Sequence, residues 1–232
     1  MKTIGLLGGM SWQSSVSYYQ TINQEVHRRL GGLNSAKLIL NSVNFSLIEQ
    51  LQHRGEWGET ARLLSIEAQN IERAGADCLV IGTNTMHKVA DEIQKAIDIP
   101  LLHIADATAV KLKQDGVETT GLLGTSFTME QAFYKGRLTD KFGLSVRVPD
   151  ERGRAMVHSV IYNELCQGKI EAESKSGYLD VIYGLVEQGA QGIILGCTEI
   201  GLLVQQADVE IPLYDTLDIH AKAAVNWALG DC

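Results

Sequence analysis

Short apolar runs alternate along the chain with longer segments whose apolar residues recur at helical spacing. Residues 3–7 precede 12–30, 36–43 precede 46–74, 78–81 precede 85–96, and 101–104 precede 105–115. Apolar runs of about four to eight residues suit strands buried on both faces of a parallel sheet, and the longer periodic segments suit the helices that cover it. The second half repeats the order. Strands are predicted at 120–123, 145–148, 192–195 and 213–215, and helices through 133–142, 157–166, 179–188 and 219–229. Strict strand–helix alternation predicts an α/β fold.

The repetition reaches individual residues. Ile4-Gly5-Leu6-Leu7-Gly8 matches Thr120-Gly121-Leu122-Leu123-Gly124; Gly75-Ala76, with Gly82 beyond, matches Gly189-Ala190, with Gly196 beyond; Ile99-Pro100-Leu101 matches Ile211-Pro212-Leu213. The offsets all lie at about 112 to 116 residues. A set of matches held in register is what a duplicated α/β unit leaves behind. The pattern predicts two pseudo-symmetric parallel-sheet domains, residues 1–106 and 107–215, with a cleft between them. A last helix, about 216–232, returns to the first domain. The alternative is one large sheet whose halves are alike by accident.

In open parallel sheets ligands bind beyond the carboxyl ends of the strands, where loops and helix N-termini present unpaired N–H groups. The residues just past each strand are therefore the informative ones: Gly8-Gly9-Met10-Ser11, Gly82-Thr83-Asn84-Thr85, Gly124-Thr125-Ser126 and Gly196-Cys197-Thr198-Glu199. Superposing the repeats sets Thr83 opposite Cys197. Racemisation needs a group on each side of an α-carbon, one to remove the proton and one to return it. A thiol suits this role when a helix N-terminus lowers its pKa, and Cys197 is predicted to sit at such an end, with Thr198 capping the helix behind it. The competing reading is a small buried hydrophobe. Cys78 and Cys166 fall on apolar faces, and Cys232 is a terminal thiol.

Composition narrows the classes. With 28 acidic and 20 basic residues the net charge is −8, which disfavours nucleic acid and anionic membranes as partners while leaving a small anionic substrate possible. Four cysteines without a CxxC pair or a Cys/His cluster indicate neither a disulfide framework nor a structural zinc, and the chain has no glycine-rich nucleotide fingerprint and no Walker pattern. Free thiols, and apolar runs too short for a signal segment or a membrane span, lead us to expect a cytoplasmic protein.

The post-strand motifs resemble those of the aspartate/glutamate racemase superfamily, in particular its broad-specificity bacterial amino-acid racemases. The resemblance runs through Gly8-Gly9-Met10-Ser11-Trp12, Thr83-Asn84-Thr85-Met86-His87, Pro100 to Asp106, Leu123-Gly124-Thr125 with Thr128-Met129, and Gly196-Cys197-Thr198-Glu199. It implies two pseudo-symmetric α/β domains, a homodimer, a small amino-acid substrate, and neither pyridoxal phosphate nor metal. The family normally supplies one cysteine from each domain, and this chain departs from that pattern at Thr83. Members resembling it, with a Thr/Cys pair, look one-sided: Cys197 acts on the L-enantiomer and the Thr83 face returns a proton through its hydroxyl or a water. Direction preference is expected in rates, since the L/D equilibrium stays near unity.

For substrate binding the resemblance points to Met10, Gln52, Asn84, Thr85, Thr125 and Thr198. The last four are hydroxyl or amide side chains suited to a carboxylate, or alternatively helix caps only. Arg54 reads as a solvated charge or a partner for a substrate carboxylate. His87 and Glu199 are set outside the core site, as a structural histidine and a complement to the helix dipole. Two other functions compete: a single-thiol decarboxylase of malonate-like acids from the same superfamily, and an amino-acid-binding protein without catalysis.

Overall fold

The computed structural model describes residues 1–230, so Cys232 lies outside the described residues. The chain divides into two compact units, residues 1–104 with 217–232, and residues 105–216. In the first unit the order is β1 (Ile4–Gly8), α1 (Trp12–Leu30), β2 (Leu38–Ser42), α2 (Phe45–Arg54), α3 (Trp57–Arg73), β3 (Cys78–Ile81), a 3-10 turn (Thr85–Val89), α4 (Ala90–Lys95) and β4 (Leu101–Leu102). Helix α5 (Ile104–Gln114) carries the chain into the second unit. There follow β5 (Thr119–Gly124), α6 (Ser126–Glu130), α7 (Ala132–Gly136), β6 (Ser145–Arg147), α8 (Glu151–Asn163), α9 (Ala172–Glu187), β7 (Ile193–Gly196), α10 (Ile200–Leu203) and β8 (Leu213–Asp215). Helix α11 (Thr216–Leu229) ends the described chain.

Each unit holds one four-stranded, all-parallel sheet, ordered β2-β1-β3-β4 in the first and β6-β5-β7-β8 in the second. The strand order is the same in both. So is the register: Leu7 pairs with Ile81 and Leu123 pairs with Leu195. Two residues beyond those partners stand Thr83 and Cys197.

Alternation along the strands sorts the first core into two layers. Ile4, Leu6, Cys78 and Val80 face Tyr18, Ile22 and Val26 of α1 together with Leu217, Ala221, Ala224 and Val225 of α11. Leu7, Leu79 and Ile81 face Ile48 of α2 and Leu64, Ala68 and Ile71 of α3. In the second unit Leu123, Ile193 and Leu195 pack on Val157 and Ile161 of α8 and on Tyr178, Ile182 and Leu185 of α9. The matched glycines of the repeat have a packing reason: a Cβ on Gly5 would lie 2.3 Å from Ile71, and one on Gly121 would lie 2.6 Å from Ile193 and 3.0 Å from Leu185.

Several segments depart from the periodicity. The predicted span 46–74 is two helices, because Gly55 takes a left-handed C-cap conformation after α2. The span 85–96 begins as a 3-10 turn and becomes α-helical only at Ala90. The helix through 133–142 loosens into a π turn at Arg137–Lys141. No helix of the described residues is long and apolar enough to cross a membrane.

Candidate active site

In the first unit the candidate residues extend from the carboxyl ends of β1 and β3, which are hydrogen-bonded neighbours. After β1 the backbone turns sharply at Gly9, whose φ is +90° and whose missing Cβ would meet the Val43 carbonyl at 2.2 Å. The Gly9 N–H donates to Ser15 Oγ at 2.7 Å, and Ser11 caps α1 by accepting from the Ser14 N–H. Met10 is buried and packs in one cluster with Ile48 of α2 and Met86 of the 3-10 turn. Its side chain is therefore engaged in the core. Gln52 lies one turn beyond Ile48 on α2 and is buried, whereas Arg54 is exposed at the end of that helix.

After β3, Thr83 is half-buried and its N–H donates to the Ile81 carbonyl at 2.9 Å, while Asn84 and Thr85 are buried. His87, also buried, is bonded at both ring nitrogens. Nδ1–H donates to the Thr83 carbonyl at 2.8 Å, and Nε2 accepts the Ile104 N–H at 3.2 Å. A carbonyl cannot donate and a backbone N–H cannot accept, so these partners fix the neutral Nδ1–H tautomer. The ring also lies against His103, with centroids 4.5 Å apart.

In the second unit Thr125 follows β5 and is the N-cap of α6, accepting from the Thr128 N–H. Its oxygen therefore caps the helix, an accepting role that does not exclude donation by its O–H. Cys197 follows β7 and is partly exposed. Its Sγ–H donates to Glu199 Oε2 at 2.9 Å, and the Thr198 hydroxyl donates to the same oxygen at 2.9 Å.

This arrangement corrects two expectations. Helix α10 begins only at Ile200, with Glu199 as its N-cap residue and no side-chain cap bond, so Thr198 does not cap it. Nor is the thiol acidified by a helix end. Burial first, and then the charge of Glu199, push Cys197 well above the ordinary thiol range. A carboxylate that accepts the S–H stabilises the protonated sulfur, and a helix of four residues has too small a dipole to oppose it. Glu199 is therefore the hydrogen-bond partner of the Cys197 thiol, a contact that its place behind the cysteine concealed in the sequence.

The other described thiols are set apart by position: Cys78 lies within β3 in the first core and Cys166 packs against the second. Burial pushes Cys78, in the β3 core, up to about 12, and burial with the Glu199 charge does the same for Cys166. Among the described residues, no three His, Cys, Asp or Glu side chains are grouped to hold a metal ion.

Comparison with known proteins agrees with this picture of two like units. Residues 7–224 match the family described as Asp/Glu/Hydantoin racemase. The chain belongs to that family. Among curated relatives, the broad specificity amino-acid racemase RacX of Bacillus subtilis is 23% identical, with 97% of this chain and 98% of that protein covered. Among solved structures, a candidate Asp/Glu racemase from Yersinia pestis is 56% identical with a TM-score of 0.93, covering 99% of this chain and 100% of that one. An aspartate racemase homologue from Pyrococcus horikoshii is 32% identical with a TM-score of 0.84, at the same coverages. Membership of the racemase family gives the loops after β3 and β7 a reaction to be weighed against, and Cys197 with Glu199 is the one thiol–carboxylate pair found there.

Proposed function

We propose that the protein is a cofactor-independent racemase of acidic amino acids, in which Cys197 removes the α-proton of the L-enantiomer and the Thr83 face returns a proton to the opposite side. The observation that carries this reading is the Cys197–Glu199 hydrogen bond at the position in the second sheet that Thr83 occupies in the first. Glu199 Oε2 takes the thiol proton along that bond and gives it up to solvent; the thiolate then receives the α-proton, and the C–H electron pair stays on the α-carbon beside the substrate carboxylate. On the other face a proton passes from the Thr83 hydroxyl, or from a water it holds, to that carbon. A threonine hydroxyl is too weak an acid to be charged at rest, so Thr83 works as a conduit for a proton replaced from solvent.

Asn84, Thr85 and Thr125, with Gln52, supply the amide and hydroxyl groups that bind the substrate's carboxylates under this reading, and Thr198 joins them when its hydroxyl turns from Glu199 to the substrate. Met10 contributes through its backbone, given its buried side chain. The homodimer and the cytoplasmic location expected from the sequence belong to the same proposal.

The test is NMR of L- and D-aspartate and glutamate incubated with the protein in deuterated buffer, scoring deuterium at the α-carbon and inversion separately. Native protein is expected to do both, and Cys197→Ser to lose at least about 10³-fold of each while keeping its fold, the scale on which removal of an essential acid/base acts. Substantial exchange in a folded Cys197→Ser protein would remove this thiol from the mechanism. Release of carbon dioxide from arylmalonates without amino-acid exchange would favour the decarboxylase instead, and binding without exchange would favour a silent binding protein.

A further inference from the structure

We propose that His87 is a positioning residue for the Thr83 face of the reaction: its ring anchors the Thr83 carbonyl and thereby sets where the Thr83 hydroxyl points. The proposal rests on Thr83 being the proton-returning position. It starts from the two ring bonds described above, which join Thr83 to Ile104, the residue at which the chain enters α5. Thr83 lies between the end of β3 and a 3-10 turn, and so outside any regular hydrogen-bond ladder that would hold its peptide. Its N–H is fixed by the Ile81 carbonyl and its C=O by His87, so both peptide groups flanking the side chain are held. The histidine is buried and in ring contact with His103, which restricts its own rotation.

The duplicated fold supplies an internal control. By register, Thr83 corresponds to Cys197, and the residue four further on is His87 in one unit and Gly201 in the other. Leu79 pairs with Leu101 and Ile193 with Leu213, so Ile104 corresponds to Thr216. In the second unit the junction is closed differently: the Thr216 hydroxyl donates to the Leu195 carbonyl at 2.8 Å, and a Cβ at Gly201 would already lie 2.8 Å from Asp215 Oδ2. The strand–turn framework therefore forms without a side chain at the histidine's position. What the histidine adds is found on the threonine side, where a neutral hydroxyl has no charged partner among the described residues to orient it and must be aimed by its backbone.

The two ring nitrogens can be tested apart. His87→Asn keeps a donor near the place of Nδ1 and loses the acceptor for the Ile104 N–H; His87→Gln keeps an acceptor near Nε2 and loses the donor to Thr83. The readout is partition of L-aspartate or L-glutamate in deuterated buffer: inverted product formed per molecule of L-substrate exchanged with retention. We expect His87→Gln to lower this ratio by about ten- to a hundredfold, the usual effect of misplacing a reacting group by about an ångström, with retention exchange through Cys197 changed far less. His87→Asn is expected to keep the ratio near native and to lose thermal stability through the missing bond to Ile104. Equal ratios in native and His87→Gln proteins would overturn the proposal, because a merely structural histidine lowers exchange and inversion together. Nitrogen-15 imidazole spectra of the native protein provide a measurement independent of any variant's folding: an Nε2–H tautomer at His87 would also overturn it. Native protein that neither exchanges nor inverts these substrates would instead defeat the racemase reading beneath it.

Discussion

Protonation of His220 should set the acid stability of the first unit. This residue sits wholly buried on α11, where its Nε2–H donates to the Leu102 carbonyl at 2.7 Å and its Nδ1 accepts from the Tyr18 hydroxyl at 2.8 Å. A second proton would have to enter at Nδ1, against burial and with the His87 ring 5.8 Å away. Burial accordingly lowers the pKa of His220 from 6.5 to about 4, opposed in part by the Leu102 bond. The unfolded chain then binds a proton that the folded chain refuses, so stability is whole above pH 6.5 and falls as the pH drops from 6.5 towards 4. The gap corresponds to about 3 kcal/mol, a large part of a typical domain's net stability.

Glu25 acts in a different window. Bonds from Arg28 and Arg29 hold it down to about 2, so its contribution is present above pH 4.5 and is lost only as the pH falls from there to about 2. The interval from 6.5 to 4.5 therefore excludes the Glu25 contribution, and comparison with a His220 variant isolates the share of that histidine. Urea unfolding followed by tryptophan fluorescence suits the measurement, because Trp12, Trp57 and Trp227 all lie in the first unit. His220→Gln, which keeps an amide donor for Leu102 and cannot ionise, is expected to be less stable than native protein at pH 7.5. That deficit should shrink by about 2 to 3 kcal/mol at pH 4.5. Parallel native and variant stability curves across this interval would show that His220 does not resist protonation in the folded state, and the tautomer argument would fail with it.

Two further outcomes follow from the site. Glu199→Gln removes both the acceptor for the thiol proton and the charge that raises the Cys197 pKa; it should acidify the thiol in a pH titration of alkylation while slowing α-proton exchange by about 10² or more, and faster exchange would mean that Glu199 only restrains the sulfur. Thr83→Cys should add retention exchange from D-substrates, absent or slow in native protein, read by deuterium uptake into each enantiomer; no gain in a folded variant would remove Thr83 from the reacting face.

The sheets were legible in the sequence because four-residue apolar runs and paired glycines leave few alternatives to a buried parallel strand, and the matched offsets made the second sheet a copy of the first. The residues past the strands were legible as places. Their bonds were not, because loop geometry has no period. Thr198 next to a helix start reads as a cap, yet its hydroxyl turns to the Glu199 carboxylate since the helix begins a residue later than the cap reading needs. His87 and Glu199, set aside in the sequence, are the groups bonded to Thr83 and Cys197. Spacings of four and two residues from the candidate pair are the only trace they leave, and such spacings are common enough to carry no signal without the fold.

The contrast between the two units also constrains what one-sidedness can mean. An equilibrium constant of unity requires kcat/KM to be equal from the two enantiomers, whatever residues act, so a Thr/Cys pair cannot favour L-substrate at limiting concentration. Preference must appear instead in kcat and KM separately, and in exchange without inversion. The structure gives each side a reason to behave differently in these respects. On the β7 side a partly exposed thiol shares its proton with the Glu199 carboxylate, so under the proposed mechanism the abstracted proton is traded for a solvent deuteron and returned to the same face. On the β3 side the backbone of Thr83 is held by His87, and under the proposed mechanism each delivery by its neutral hydroxyl draws a proton from solvent. Return at Cys197 should then outpace delivery at Thr83, and L-substrate should acquire deuterium faster than it inverts. The D-enantiomer can exchange only by passing through the slow side, so its deuterium uptake should never exceed its conversion.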